Sequence, residues 1–396
     1  MEGWRIMKNS TILKITVLSL SLLNLTPNAI SVALADITQS FPDTSPSTIA
    51  MILTLPSLFV IFFSSISGKL STVISKKLLV LVGLVLFTVG GVAPAVMFSN
   101  SLIFILIMRA IMGIGLGICV PFTTGLIADF FQKDDEQTTL MGFQSSVVNI
   151  GGIVTSLLAG ILAAIYWSNA FWVYGIGIIV FLLILFKLPE QTRVVIEGTQ
   201  KTSLGGIVYF ISFLGFLFSA LTFPIFANTA LLIVEQNFGN AASVGITLTF
   251  FSIAGLVAGL IFGKVMSTLN KFTGVFGTIF AGVGFLVITY ASSLNMVIVG
   301  AILTGFGYST IIPFLVVNTV INTDRSQTTF AIGILLSCLY LGQFVSPFIL
   351  INIAKSTGNT SQMYTFLLCG AILIVSSIVI FLFNLKKSSA LALSNK

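Results

Sequence analysis

The chain has 396 residues, of which 56% are hydrophobic and only 7% charged, against about 25% charged in an ordinary soluble domain; a water-soluble fold is excluded. At roughly 20 apolar residues per bilayer crossing, about twelve crossings would leave only short loops and no separate globular domain. There is no histidine, which excludes His-liganded metals, His bases and His proton relays, while Cys119, Cys338 and Cys369 sit in apolar runs and read as packed free thiols.

Apolar runs fall near residues 12–35, 48–67, 78–98, 102–126, 140–165 and 170–188, then 204–228, 241–262, 272–291, 296–320, 330–354 and 363–385. They predict an all-α membrane protein of twelve transmembrane helices. With the N-terminus in the cytoplasm, sixteen cationic residues fall on the inside, in the tails and in loops such as Lys69, Lys76, Lys77, Lys264 and Lys271. Lys355 alone falls outside, and Arg109 lies within a span. The positive-inside rule therefore places both termini in the cytoplasm. The net charge of +7 is spread over these loops instead of forming one basic patch, so no nucleic-acid partner is implied. Arg5, Lys8 and Lys14 ahead of a run ending Ala33-Leu34-Ala35 also suit a signal peptide. Asn24, Pro27 and Asn28 interrupt that run, however, and its loss would break the pairing of spans described next, so it is read as the first span.

The two halves of the chain repeat. Gly113, Gly115, Pro121 and Phe122 correspond to Gly305, Gly307, Pro313 and Phe314, 192 positions on; Gly142 and Gly151 correspond to Gly333 and Gly342, 191 positions on; Gly68-Lys69 corresponds to Gly263-Lys264. This predicts a six-helix bundle over 1–188, a cytoplasmic linker over 189–203 and a second six-helix bundle over 204–396, with a substrate cavity between the halves.

On these residues the chain resembles the major facilitator superfamily, most closely its twelve-span drug:proton antiporter branch. The family's loop motif GxLaDRxGRK appears as Gly68, Lys69, Leu70, Ser71, Thr72, Val73, Ile74, Ser75, Lys76, Lys77, with Thr72 in place of the aspartate. Its fourth-span motif RxxqGxg appears as Arg109 to Gly115. Its fifth-span antiporter motif is represented by Gly142, Gly151, Thr155-Ser156 and Gly160, with the proline found instead in the second half, at Ser346-Pro347. The first span ends Ala33-Leu34-Ala35-Asp36-Ile37, like the family's ALPDI, and Thr26 stands where proton-coupled relatives often carry aspartate. The resemblance implies alternating access and a coupling or substrate role for Arg109.

A guanidinium seven residues into its span needs a partner or water. Either backbone carbonyls supply it, holding helices together, or a carboxylate does, and Asp36 lies on the same extracellular side as the start of the fourth span. Asp36 and Glu235 are the carboxylates left by elimination for proton coupling, Asp129 lying beside the acidic cluster Asp134, Asp135 and Glu136. Gly142, Gly151 and Gly160 recur every nine residues, a half turn of helix each time, and so serve several contacts instead of one stripe. Uncharged polar groups at membrane depth are the cavity candidates: Asn24 and Asn28, four apart on one helical face, with Asn149, Asn228, Tyr308, Asn318, Tyr340 and Gln343. Most of the 36 phenylalanines read as lipid-facing or packing residues, and any on the cavity faces would suit apolar or aromatic cargo.

No Walker signature and no room for a nucleotide domain exist, so ATP-driven transport by this chain alone is excluded. The expected function is secondary export of small hydrophobic or amphipathic compounds in exchange for protons, by a monomer in the plasma (inner) membrane, with lipid as its surroundings and no cofactor. The alternatives are a transporter of one metabolite such as a sugar or amino acid, or a membrane sensor or lipid-handling protein that has lost coupling.

Overall fold

A computed structural model of the protein describes residues 11–71, 73–131, 134–190, 204–324 and 327–394. The loop residue Thr72 and most of the expected linker, residues 191–203, lie outside them. Eleven helical stretches are long and apolar enough to cross a membrane, and one of them, Ala241–Thr289, holds two helices. It breaks where Asn270 takes φ 47° and ψ −118°, outside the helical region. Twelve spans result: α1 (Thr11–Ser40), α2 (Pro46–Leu70), α3 (Lys76–Val96), α4 (Leu102–Phe130), α5 (Asp134–Ile165) and α6 (Trp167–Lys187), with α8 (Ala241–Leu269), α9 (Thr273–Thr289), α10 (Leu294–Ile321), α11 (Thr328–Thr357) and α12 (Gln362–Ser394). Between these groups α7 runs over Gly206–Thr222, Pro224–Ala227 and Thr229–Glu235. Serine side chains cap several of them: Ser45 Oγ accepts from Thr48 N, Ser75 Oγ from Leu78 N and Ser101 Oγ from Phe104 N.

The packing within α1–α6 recurs within α7–α12. α4 lies against α2 and α3 and α5 against α1; correspondingly α10 lies against α8 and α9 and α11 against α7. The repeated glycines make the same approaches in both halves. A Cβ on Gly113 would strike the Pro56 backbone of α2, and one on Gly305 the Phe251 backbone of α8. Gly115 abuts Gly83 and Phe87 of α3, and Gly307 abuts Gly277 and Ala281 of α9. Gly151 closes on Leu22 of α1, and Gly342 on Phe216 of α7. A side chain would hold each pair of backbones apart. Gly160, half a helical turn round from Gly151, instead meets Gly245 of α8. Gly68 and Gly333 have open space around them, and the surroundings of Gly142 are outside the described residues. Pro347 lies inside α11, where the neighbouring Ser346 Oγ donates to the Ala220 carbonyl of α7 at 2.6 Å.

The halves meet along two seams, α5 with α8 and α2 with α11. They also meet at one end, where Leu34–Ser40 of α1 packs on Thr229–Glu235 of α7. That end carries Asp36 and Glu235; the opposite, basic end carries Lys69, Lys76, Lys77, Lys187, Lys264 and Lys271. Outward-facing Val82, Val85 and Val89 of α3, Ile178, Ile179 and Phe186 of α6, and Val375, Ile378 and Val379 of α12 stand exposed. Water would not tolerate so broad an apolar surface, whereas lipid matches it.

Candidate functional site

Arg109 is wholly buried. Its Nε donates to the Ile52 carbonyl at 2.6 Å, Nη2 to the Pro27 carbonyl at 2.7 Å, and Nη1 to the Tyr174 hydroxyl and Met112 Sδ, each at 2.9 Å. The guanidinium carbon also stands 5.3 Å from the centre of the Tyr174 ring. The sequence prepares these acceptors. Ile52 is four residues before Pro56, which has no N–H to give it, so its carbonyl is left for Arg109. Pro27 stands in a stretch of α1, Thr26–Ala33, wound as 3₁₀ helix, and its carbonyl also accepts from Tyr174 Oη at 3.2 Å. Arg109 thus ties α1, α2 and α6 to α4. The expected relation with Asp36 is not made: among the described residues, no acid reaches the guanidinium, and carbonyls take that place.

The other two coupling candidates separate. Glu235 is exposed and accepts from Ser361 Oγ at 2.9 Å and Gln362 N at 3.0 Å, so it holds the first turn of α12. Asp36 is half-buried and borders a shallow depression with Tyr166, Trp167 and Asn240, where the halves meet. At the basic end Lys76 Nζ pairs with Asp129 at 2.5 Å and Lys77 Nζ donates to the Leu188 carbonyl at 2.7 Å. The loop motif therefore clamps α3 to α4 and α6, and Asp129, set aside on sequence grounds, is its acidic partner.

Of the polar cavity candidates, Asn149, Tyr308, Tyr340 and Gln343 come together where the two seams face each other. Ser57 Oγ of α2 donates to Gln343 Oε1 of α11 at 3.1 Å. Gln343 neighbours the Tyr308 hydroxyl, and Tyr340 lies one turn before Gln343 on α11. Asn149 Oδ1 of α5 and Ser309 Oγ of α10 both approach the open side of Gly255 on α8. Asn149 is 3% exposed, its amide donates to the Ser145 carbonyl, and its Oδ1 has no partner. Tyr308 stacks near Phe218 at 6.0 Å and lies 5.8 Å from Phe251, which meets Phe226 at 5.3 Å. Tyr308, Tyr340 and Gln343 keep part of their surface open halfway along their helices. The result is an uncharged polar and aromatic cluster contributed by both halves. Ser57, Ser309, Phe218 and Phe251 were not anticipated; the repeat could have flagged Phe251, which holds the place of Pro56.

The remaining candidates are elsewhere. Asn228 donates to Gln362 Oε1 at 2.6 Å near Glu235, and Asn318 back-bonds to the Phe314 carbonyl of its own helix at 2.8 Å. Asn24 stands between the two 3₁₀ stretches of α1 and Asn28 within the second. At three residues per turn, positions four apart do not stack, so the shared face expected of this pair is lost. Asn24 Oδ1 is buried without a partner.

Residues 16–225 and 206–395 match the family model described as Major Facilitator Superfamily. The protein belongs to that family. It is a multi-pass membrane transporter of small molecules, not an enzyme. Among curated relatives, the quinolone resistance protein NorA of Staphylococcus aureus is 22% identical over 324 residues, 76% of this chain and 80% of that protein. The probable transporter AQR1 of Saccharomyces cerevisiae is 27% identical over 135 residues, 34% of this chain and 22% of AQR1. Among solved structures, an auto-inhibited peptide transporter of the POT family superposes with TM-score 0.74 at 11% identity, covering 95% of this chain and 97% of its own. The human organic anion transporter MFSD10 superposes with TM-score 0.65 at 15% identity, covering 93% and 97%. Both share the fold.

Proposed function

We propose that the protein exports small hydrophobic or amphipathic compounds across the plasma membrane in exchange for protons, acting as a monomer by alternating access. The observation that carries this reading is the uncharged polar and aromatic cluster built from both halves, Asn149, Tyr308, Tyr340 and Gln343 with Phe218 and Phe251. Such a surface accepts apolar cargo and offers few fixed hydrogen bonds, where a sugar or amino-acid carrier would need more. The likeness to a quinolone resistance protein points the same way. With the basic end in the cytoplasm, the α1–α7 contact lies on the outer side. Arg109 holds α1, α2, α4 and α6 as one body, which rocks against the other half at the α5–α8 and α2–α11 seams.

Proton exchange then rests on Asp36, half-buried at the outer contact between halves, and not on Glu235, which is engaged with α12. The test is transport in proteoliposomes with an imposed pH gradient and a chemically diverse panel. Asp36→Asn is expected to remove the gradient dependence while compound binding persists, and Glu235→Gln to leave both nearly unchanged. Gradient-driven export surviving Asp36→Asn would refute this assignment of coupling. A panel of which no member moves in either direction would favour a sensor or lipid-handling role.

A further inference from the structure

The charges of the interior bear on which cargo the central cluster accepts, an inference that rests on the transporter reading above. The described carboxylates nearest the core, Asp36, Asp129 and Glu235, all stand at the ends of their spans. None contacts Ser57, Asn149, Tyr308 or Gln343. Among the described residues, the fixed charge at the depth of the cluster is that of Arg109, and it is positive. Arg109 is bonded to two carbonyls, a hydroxyl and a thioether, none of which neutralises it. Ile52, its α2 acceptor, is five residues from Ser57, about 7.5 Å along the helix, and Ser57 bonds Gln343 of the cluster. A second cation brought in beside it has no carboxylate to meet and a positive field to oppose. At an effective dielectric of 20, two like charges roughly 10 Å apart repel by about a tenfold factor in affinity.

The remaining chemistry is as specific. Asn149 Oδ1 is buried and unpartnered and points to the side of α5 where α8 and α10 approach, so it lacks a donor. Tyr308 is the partly open ring of the cluster, and the buried Phe218 and Phe251 pack against it. We propose that the cluster takes planar aromatic compounds that carry a hydrogen-bond donor and no positive charge, and that it turns away organic cations of the same shape. The donor satisfies Asn149, the ring system lies against the aromatic side chains, and Arg109 supplies the discrimination by charge.

A matched pair tests this on the full-length protein: acridone, a neutral tricycle with one N–H donor, and 10-methylacridinium, a tricycle of similar size with a permanent positive charge. By fluorescence titration of purified protein, acridone is expected to bind at least tenfold more tightly. Gln343→Glu, at a partly open position that tolerates a carboxylate, is expected to raise affinity for 10-methylacridinium about tenfold. Asn149→Asp should do the same, and Asn149→Leu should weaken acridone alone. Equal or tighter binding of the cation by the unmodified protein, binding of neither compound, or no gain of cation binding in Gln343→Glu would each overturn the proposal. Transport in proteoliposomes separates it from the reading it rests on. Gradient-driven movement of cations with acridone excluded refutes the charge selectivity and leaves the transporter intact; acridone binding with no compound moved does the reverse.

Discussion

The two halves solve the same packing problem at the level of Arg109 with opposite chemistry. In the first half Arg109 and Gly113 of α4 face Ile52 and Pro56 of α2, and Tyr174 of α6 packs on Gly91 of α3. In the second, Gly305 of α10 closes on Phe251 where the first half has Pro56. Ala301 holds the place of Arg109, and Phe366 meets Phe285 at 5.1 Å where Tyr174 meets Gly91. The guanidinium and the carbonyl freed in α2 are present together in one half, and their counterparts in α10 and α8 are absent together in the other, where the carbonyl freed by a proline is that of Ala220 in α7, four residues before Pro224, and Ser346 takes it. Since Ala301, Phe285 and Phe366 are all fully buried and close-packed without a charge, the fold does not require the guanidinium. A buried ion is costly compared with an apolar filling of the same space, so its presence in one half alone argues for a task beyond packing.

The largest way to break this contrast is to graft the charge where nothing receives it. Ala301→Arg buries a guanidinium against Phe285 and Phe366 with no freed carbonyl, because Phe251, unlike Pro56, keeps its N–H. The expected penalty is on the order of 5 kcal/mol or more, read as loss of accumulated protein in the membrane. Normal accumulation and melting would mean that the second half holds acceptors equivalent to Ile52 and Pro27.

Next in size, Arg109→Ala leaves the Pro27 and Ile52 carbonyls and the Tyr174 hydroxyl without their donor. It should lower stability in detergent by about 3–5 kcal/mol and abolish coupled transport in whatever protein remains folded. Arg109→Lys keeps the charge but cannot reach two carbonyls and a hydroxyl from one ammonium. It should recover part of the stability and little of the transport. Alanine transporting at normal rates would reduce Arg109 to a structural relic.

How much of this was legible in the sequence differs by level. The twelve spans were, because hydropathy sets bilayer crossings almost alone, and the break between α8 and α9 at Asn270 is the one place where helical continuity blurred two of them. The glycine contacts were legible through their half-turn spacing: Gly151 goes to α1 and Gly160 to α8. Arg109 was legible as a buried cation with either carbonyls or a carboxylate as partner, but which carbonyls was not. A backbone carbonyl freed four residues before Pro56 carries no mark in composition. The shared face of Asn24 and Asn28 assumed 3.6 residues per turn, and α1 is wound more tightly there. Glu235 was read as a coupling candidate at a span margin, but its engagement could not be, since Ser361 and Gln362, which occupy it, lie more than a hundred positions along the chain.

The smallest and sharpest probe exchanges one hydroxyl between the halves. Tyr174→Phe copies Phe366 into the first half. It removes the 2.9 Å bond from Arg109 Nη1 and the weaker 3.2 Å bond to Pro27, while Nε and Nη2 keep their carbonyls and the ring remains beneath the cation. The expected loss is about 1–2 kcal/mol, the value of a single hydrogen bond to a charged group. The converse, Phe366→Tyr, places a hydroxyl among Phe285 and its apolar neighbours, and leaving it unpaired costs about 1–3 kcal/mol. Two similar losses in melting would therefore have different origins, and transport tells them apart. Tyr174→Phe loosens the anchor that ties α6 to α1 and α4 and should slow transport per folded molecule. Phe366→Tyr touches no part of that anchor and should leave the rate per folded molecule unchanged. If both variants transport alike once corrected for folded protein, the hydroxyl is an ornament of packing and the functional weight of the first half rests on Arg109 and its two carbonyls.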